Sequence, residues 1–80
     1  MTTSILNGKI LFGIVNIANK YGVHVGQNIQ TGQIEAENFK NAGELVHFKN
    51  EAEEFLDKQG LERFHLTTHY NPYELIIGWS

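Results

Sequence analysis

Histidine is the residue type in this chain with the clearest potential for chemistry, because the 80 residues include four histidines and no cysteine. His65 and His69 are four residues apart, a spacing that on a helix places both imidazoles on one face as zinc ligands. They fall instead in a stretch that alternates like a strand, in which four residues span about 13 Å. Two ligands that each lie ~2.0 Å from one zinc ion cannot be so far apart. We therefore predict no metal and no cofactor, unless His24 or His47 completes a site from elsewhere in the fold.

Catalytic groups of other kinds are not favoured by the sequence. A cluster of carboxylates falls on one predicted exposed helix face, where nothing desolvates them or holds a proton between two of them. Its members are Glu51, Glu53, Glu54 and Asp57. A thiol nucleophile is excluded by the absence of cysteine, and the glycines fit neither a Walker nor a dinucleotide-binding fingerprint. The sequence therefore predicts a protein that is not an enzyme and has no catalytic residues.

Binding is the activity that the remaining polar and aromatic residues favour. Arg63, His65 and His69 are predicted to project from one face of a strand, where they would form a continuous ridge. Arginine presents a rigid fork of donors suited to a carboxylate, and histidine can donate or accept. Tyr70 and Tyr73 flank a proline turn, and tyrosine is enriched at interface hot spots. These five residues are the candidate site for a protein partner.

A predicted β-hairpin from Glu62 to Trp79 positions these side chains. Alternate residues on both sides of its turn belong to opposite faces of a sheet, since side chains in a strand have a period of two. One face is predicted to be a core wall of Phe64, Leu66, Thr68, Tyr70, Tyr73, Leu75, Ile77 and Trp79. The other face carries Arg63, His65, Thr67, His69 and Glu74. We expect this second face to meet solvent or a partner.

A helix is predicted from Gly8 to Tyr21. Its apolar residues recur at spacings of three, four and seven, which makes a broad apolar stripe. Asn7 can serve as its N-cap, and Gly22 suits the position just past its end. The β-branched run Ile10–Ala18 also allows a buried strand, but the spacing favours the helix.

The middle of the chain allows two interpretations. In the favoured one, a short extended piece at Val23–Gly26 and a loop at Asn28–Gly32 precede a first hairpin. Its strands are Gln33–Phe39 and Glu44–Phe48, and Gly43 in the turn between them can adopt a positive φ.

A second helix follows this hairpin in the favoured interpretation. Asn50 and Glu53 form a capping-box pattern at its start, and Gly60 lies just past its end. In the alternative interpretation one helix runs from Glu44 to Gln59, because the apolar residues of that segment share a helical face. The position of the acidic residues favours the shorter helix, since carboxylates are stabilising in the first turn.

Length and composition complete the fold prediction. With 41% hydrophobic residues, residues 1–80 are expected to form a single α+β domain, in the order helix, hairpin, helix, hairpin. Helices should cover one face of a mainly antiparallel sheet. The net charge of −3 argues against double-stranded nucleic acid and anionic membranes. The longest apolar run is far shorter than the ~20 residues that span a bilayer, and the lack of cysteine fits a cytoplasmic location.

These observations favour binding over catalysis as the function. We expect a small non-enzymatic protein that binds another macromolecule as an adaptor, regulator or inhibitor. Small inhibitors from phages and other mobile elements have this size and character. One alternative is a metal-binding or enzymatic module that uses histidines. Another is a homodimer or other homo-oligomer whose subunits pair through an exposed strand edge.

Overall fold

The fold comprises two helices and one four-stranded sheet, seen in a computed structural model that describes residues 8–28, 30–60 and 63–79. The elements in chain order are α1 (Gly8–Tyr21), β1 (His24–Gln27), β2 (Ile34–Glu37), α2 (Ala42–Lys58), β3 (Phe64–Tyr70) and β4 (Tyr73–Trp79). All strand pairs are antiparallel, and the strand order is β1-β2-β4-β3. The predicted α+β class with a leading helix and an antiparallel sheet is confirmed.

Both helices pack on the same face of the sheet. From the sheet, alternate residues of β2 and β4 enter the core, namely Ile34, Ala36, Leu75 and Ile77. From the helices, the core receives Ile10, Ile14, Ala18, Leu45, Phe48, Ala52 and Leu56. The residues between them on β2 and β4 point to the opposite side, since side chains alternate along a strand. In the described part of the chain, no helix covers that side.

Helix α1 begins and ends where the apolar stripe predicts. Gly22 follows it with a φ of 67°, the left-handed conformation that glycine adopts without a steric penalty. The alternative of a buried strand at Ile10–Ala18 is wrong. The predicted N-cap, Asn7, lies outside the described residues.

Helix α2 follows the alternative interpretation of the middle segment. It is one helix of 17 residues, so the predicted strand Glu44–Phe48 and the predicted turn around Gly43 are both wrong. Its N-cap is Asn41, whose side-chain oxygen accepts a hydrogen bond of 2.8 Å from the backbone N–H of Glu44. The capping box predicted at Asn50 lies inside the helix.

Burial explains why the longer helix forms. Spacings of three and four place four apolar side chains of α2 on one face, and all four are fully buried. They are Leu45, Phe48, Ala52 and Leu56. A helix that started at Asn50 would leave the first two outside this stripe. The loss of their packing would outweigh the modest stabilisation, about 0.3–1 kcal/mol each, that carboxylates provide in a first turn.

The first hairpin consequently pairs β2 with β1. His24 lies opposite Glu37, and Gln27 lies opposite Ile34. The side chain of Asn28 stabilises the connecting loop, because its oxygen accepts hydrogen bonds from two backbone N–H groups of the loop. The sequence predicted the extended piece after Gly22, this loop and a strand within residues 33–39, but it assigned that strand the wrong partner.

The second hairpin keeps the predicted alternation, so the predicted side chains of both strands share one face. Phe64 lies opposite Trp79, Leu66 opposite Ile77, and Tyr70 opposite Tyr73. The two residues between β3 and β4 are Asn71 and Pro72, joined by a cis peptide bond, as in turns that carry proline at their third position.

The predicted core wall is confirmed at Leu75 and Ile77 of β4 and is only partial on β3. Leu75 and Ile77 are fully buried because β4 lies between two other strands. Strand β3 is at the edge of the sheet, where Leu66 is half-buried and Tyr70 is 54% exposed. The assignment of Tyr70 to the core is therefore wrong, because the helices do not cover this end of the edge strand. The Trp79 side chain, also predicted to be in the core, lies outside the described part of the structure.

Candidate binding site on the open sheet face

The uncovered side of the sheet, called the open face below, carries a row of four ionisable residues. His24, Glu37, Glu74 and His69 lie opposite one another in successive strands, so the row crosses the whole sheet. The two carboxylates are neighbours at its centre, and an imidazole lies at each edge. Like charges that face each other across two strands are destabilising. The row therefore offers a partner a concentrated negative charge with histidines on both sides.

The other end of the open face is built around Gly78. A Cβ at this position would lie 3.2 Å from Nε2 of His65 and 3.5 Å from Nε2 of Gln33. Both side chains therefore extend over the glycine, and Gly78 is buried although it lies on the uncovered side. Because a side chain at position 78 would displace His65, the glycine allows the imidazole to lie close to the sheet.

The five predicted binding residues do not form one surface. His65 and His69 are exposed on the open face of β3, as the alternation predicts. Arg63 is exposed but precedes the strand and has a φ of 63°, so the strand alternation does not set the direction of its side chain. Tyr70 and Tyr73 belong to the opposite side and lie beside the turn of the hairpin. The predicted ridge therefore consists of the two histidines, with Arg63 next to its end.

The two tyrosines line a pocket at the end of the sheet. Their rings are perpendicular, with centroids 6.3 Å apart. The pocket has a volume of about 390 Å³, and its walls are formed by Glu37, Asn38, Phe39, Tyr70, Asn71, Pro72 and Tyr73. Glu37 is common to this pocket and to the row on the open face. Sequence reasoning missed Glu37, Asn38 and Phe39, because only the pairing of β2 with β4 brings them beside the tyrosines.

A second group of ionisable residues joins the two helices. Glu51 of α2 accepts hydrogen bonds from the Tyr21 hydroxyl and the Lys20 ammonium of α1. The hydrogen bond to Glu51, together with desolvation and the nearby charge, raises the pKa of Tyr21 from 10.0 to about 12. Hydrogen bonds from Lys20 and Tyr21 lower the pKa of Glu51.

This group is suited to holding the helices together and unsuited to catalysis. A phenol with a pKa of about 12 is a poor general acid or base near neutral pH, because catalytic pKa values match the working pH. Glu51 is thus a half-buried, hydrogen-bonded residue, which corrects its assignment to a solvated acidic face. Glu53, Glu54 and Asp57 are exposed, as that assignment requires.

Among residues 8–28, 30–60 and 63–79, no group of three or more His, Asp or Glu side chains is arranged to hold a metal ion. Over the same residues, neither helix combines the length and apolar character that crossing a bilayer requires.

The chain matches no protein-family model, and comparisons with curated proteins and with solved structures found no match.

Proposed function

We propose that this chain is a non-enzymatic protein that binds another protein, as an adaptor, regulator or inhibitor, through the open face of its sheet. The observation that carries the proposal is the one-sided packing of the fold. Both helices bury their apolar residues against one side of the sheet, and the other side exposes polar and ionisable side chains from all four strands. A rigid sheet holds these side chains in fixed positions, which lowers the entropic cost of binding.

The charge distribution supports a protein as the partner in preference to a nucleic acid. The centre of the open face carries Glu37 and Glu74, and the chain has a net charge of −3. Phosphate backbones require clustered positive charge, and carboxylates at the centre of the surface would repel them. A protein surface can instead supply donors to the two glutamates and acceptors to His65 and His69. The proposal includes a cytoplasmic location, for which the absence of cysteine is the supporting observation.

A homodimer is the second candidate, and one observation favours it. Strand β3 is seven residues long and lies at the sheet edge, where unpaired backbone groups can bind another strand. Its side chains include Phe64 and Leu66, which pack only partly into the core. Sedimentation equilibrium over a wide concentration range tests this candidate. A constant monomer mass at high protein concentration would contradict it.

The main proposal is tested by partner capture followed by titration. Tagged protein is used to recover the partner from the native host, and the affinity of the purified pair is then measured by calorimetry. The test variant combines His65→Ala, His69→Ala and Arg63→Gly. Glycine is used at position 63 because the φ of 63° strains other residues. We expect the affinity to fall at least tenfold, a loss of about 1.4 kcal/mol.

A matched control changes three exposed residues on the helical side. Glu53→Ala, Glu54→Ala and Asp57→Ala remove as many side chains from α2 and should leave the affinity unchanged. The unfolding free energy of both variants is measured by urea denaturation, since exposed substitutions usually change it by less than about 0.5 kcal/mol each. If the control variant loses affinity and the test variant does not, the partner binds the helices and the proposed surface is wrong.

A further inference from the structure

The pocket beside the β3–β4 turn has walls suited to a cation. Tyr70 and Tyr73 present two perpendicular rings, and Tyr70 is 54% exposed. The faces of aromatic rings attract cations, because the π electrons make them negative. Two rings at a right angle can contact one bound group from two sides, as in the aromatic cages that bind ammonium ligands.

The charge at the pocket is negative. Glu37 lines it, and Glu74 lies opposite Glu37 in the neighbouring strand. No lysine, arginine or histidine is among the described residues that form its walls. A bound cation would relieve the repulsion between the two glutamates, which otherwise disfavours this cross-strand pair. The pocket thus combines aromatic faces with a net negative charge that has no counter-charge in its walls.

We propose that this pocket binds an arginine side chain of the protein partner. A planar guanidinium can stack on a tyrosine ring and at the same time donate to a carboxylate, whereas an ammonium is a point charge that cannot stack. Asn38 and Asn71 also line the pocket, and an asparagine side chain carries an oxygen that can accept a hydrogen bond. The volume of about 390 Å³ lies within the range of small-ligand pockets, which is roomy enough for one arginine side chain.

The inference rests on the proposed function, because it names the group of the partner that enters this pocket. It also assigns a role to Tyr70 and Tyr73, which binding through the open face does not require. The ridge of His65 and His69 lies on the open face, while the two tyrosines belong to the other side of the hairpin. Glu37 connects the two surfaces, so one partner can occupy both. The pocket can therefore be tested without the partner.

The test is a titration with a small probe followed by NMR. The capped tripeptide acetyl-Gly-Arg-Gly-amide is added to the ¹⁵N- and ¹³C-labelled protein, and backbone and aromatic shifts are recorded. The comparison probe replaces arginine with citrulline, which has the same shape and no charge. We expect the shifts to be confined to residues 37–39 and 70–73, with arginine bound at least threefold more tightly than citrulline.

Single substitutions distinguish the contribution of the Glu37 carboxylate to arginine binding from that of the tyrosine rings. Glu37→Gln should weaken arginine binding about twofold to fivefold and leave citrulline binding unchanged, as for a single exposed charge pair. Tyr70→Leu should weaken arginine binding by a similar factor, because this substitution removes the face of the ring. Tyr70→Phe keeps the ring face and should retain the affinity for arginine. Glu35→Gln is the matched control, since Glu35 lies two residues along the same strand and face but does not line the pocket. It should leave the affinity for arginine unchanged.

Three outcomes would overturn the inference. Equal affinities for arginine and citrulline would show that the pocket does not select a cation. Tighter binding of the matching lysine tripeptide would show that an ammonium is the preferred occupant. Shifts centred on the acidic helix α2 would place the cation elsewhere. Any of these results would contradict the arginine pocket. If the His65/His69/Arg63 variant nevertheless loses partner binding, the proposed binding surface on the open face is still supported. Arginine-selective binding with an unaffected triple variant would contradict the proposed surface alone.

Discussion

The crossing of the two helices allows a sharp test of the packing. Gly13 of α1 faces the ring of Phe55 on α2, and a Cβ at Gly13 would lie 2.7 Å from both Cε atoms of that ring and closer still to Cζ. Real Cβ atoms do not approach other carbon atoms so closely. Gly13→Ala therefore requires the ring or the helix to move. The substitution introduces one methyl group where α1 packs against the Phe55 ring of α2.

The expected change in stability follows from two opposing effects. Alanine in a helix interior is more favourable than glycine by roughly 0.5–1 kcal/mol, because glycine loses more backbone entropy on folding. Overpacking a filled site costs about 1–3 kcal/mol. Phe55 is half-buried, so its ring has some freedom to move, and the cost should not exceed that range. We expect Gly13→Ala to destabilise the protein by about 0.5–2 kcal/mol.

The second variant of the test is Phe55→Leu. Leucine lacks Cε1, Cε2 and Cζ, the three ring atoms that approach Gly13, and it keeps an apolar side chain at the site. In this background Gly13→Ala should stabilise the protein by about 0.5–1 kcal/mol, since only the helix preference remains. The reversal of sign corresponds to a coupling energy of about 1–3 kcal/mol, which is typical of residues in contact.

The measurement is urea denaturation followed by circular dichroism for the four proteins of the double-mutant cycle. Asn16→Ala is the control, because Asn16 is exposed on the same helix and should change the stability equally in both backgrounds. If Gly13→Ala stabilises the parent and the Phe55→Leu variant by the same amount, the ring does not occupy the space above the glycine. The described packing of α1 on α2 would then be wrong.

Three further predictions concern the helix cap, pH and metal. Asn41→Ala should cost about 1 kcal/mol in urea denaturation because it removes the N-cap of α2, whereas Asn50→Ala in the helix interior should not destabilise the protein; the opposite order would restore the shorter helix. Its hydrogen bonds lower the pKa of the Glu51 carboxyl group in the folded protein. The contribution of this carboxylate to the free energy of unfolding is therefore present above the ordinary pKa of 4.5 and is lost as the pH falls through the lowered pKa. The pKa of Tyr21 is raised from 10.0 to about 12. The stabilisation that its hydroxyl provides is therefore complete below pH 10.0 and is lost as the pH rises towards 12. The stability difference between the parent and Tyr21→Phe, measured by urea denaturation across the pH range, should therefore be largest between pH 4.5 and pH 10.0; a difference independent of pH would contradict the hydrogen bond. Finally, EDTA should leave the melting temperature unchanged, and a loss of several degrees would reveal a metal that the histidines hold.

The sequence predicted the second hairpin well because its determinants are local. Alternation on both sides of a single proline turn leaves few registers, and each of them places the same side chains of the two strands on one face. The start of α2 was harder, since Asn41 with Glu44 and Asn50 with Glu53 are equivalent capping patterns at the same spacing. Only the burial of the residues between them decides the choice, and burial depends on the whole fold.

The candidate site shows the same division between local and distant determinants. The outward direction of His65 and His69 follows from alternation within one strand, and their exposure agrees with it. The position of Glu37 beside Glu74 does not follow from alternation within one strand. It requires β2 to pair with a strand more than 30 residues later in the chain. No pattern within either segment indicates that pairing. The pocket, whose walls come from both segments, was for this reason outside the reach of sequence reasoning.

The open face and the edge strand β3 are compatible binding surfaces. Antiparallel pairing of two copies through β3 would relate them by a two-fold axis perpendicular to the sheet, which keeps both open faces on the same side. If the pairing were centred on Thr67, His65 of one copy would lie opposite His69 of the other. The ridges would then merge at the middle of an eight-stranded sheet, with one tyrosine pocket towards each end. Dimer formation would thus double the surface proposed to bind the partner without covering it, and a bivalent partner would gain affinity from the second site.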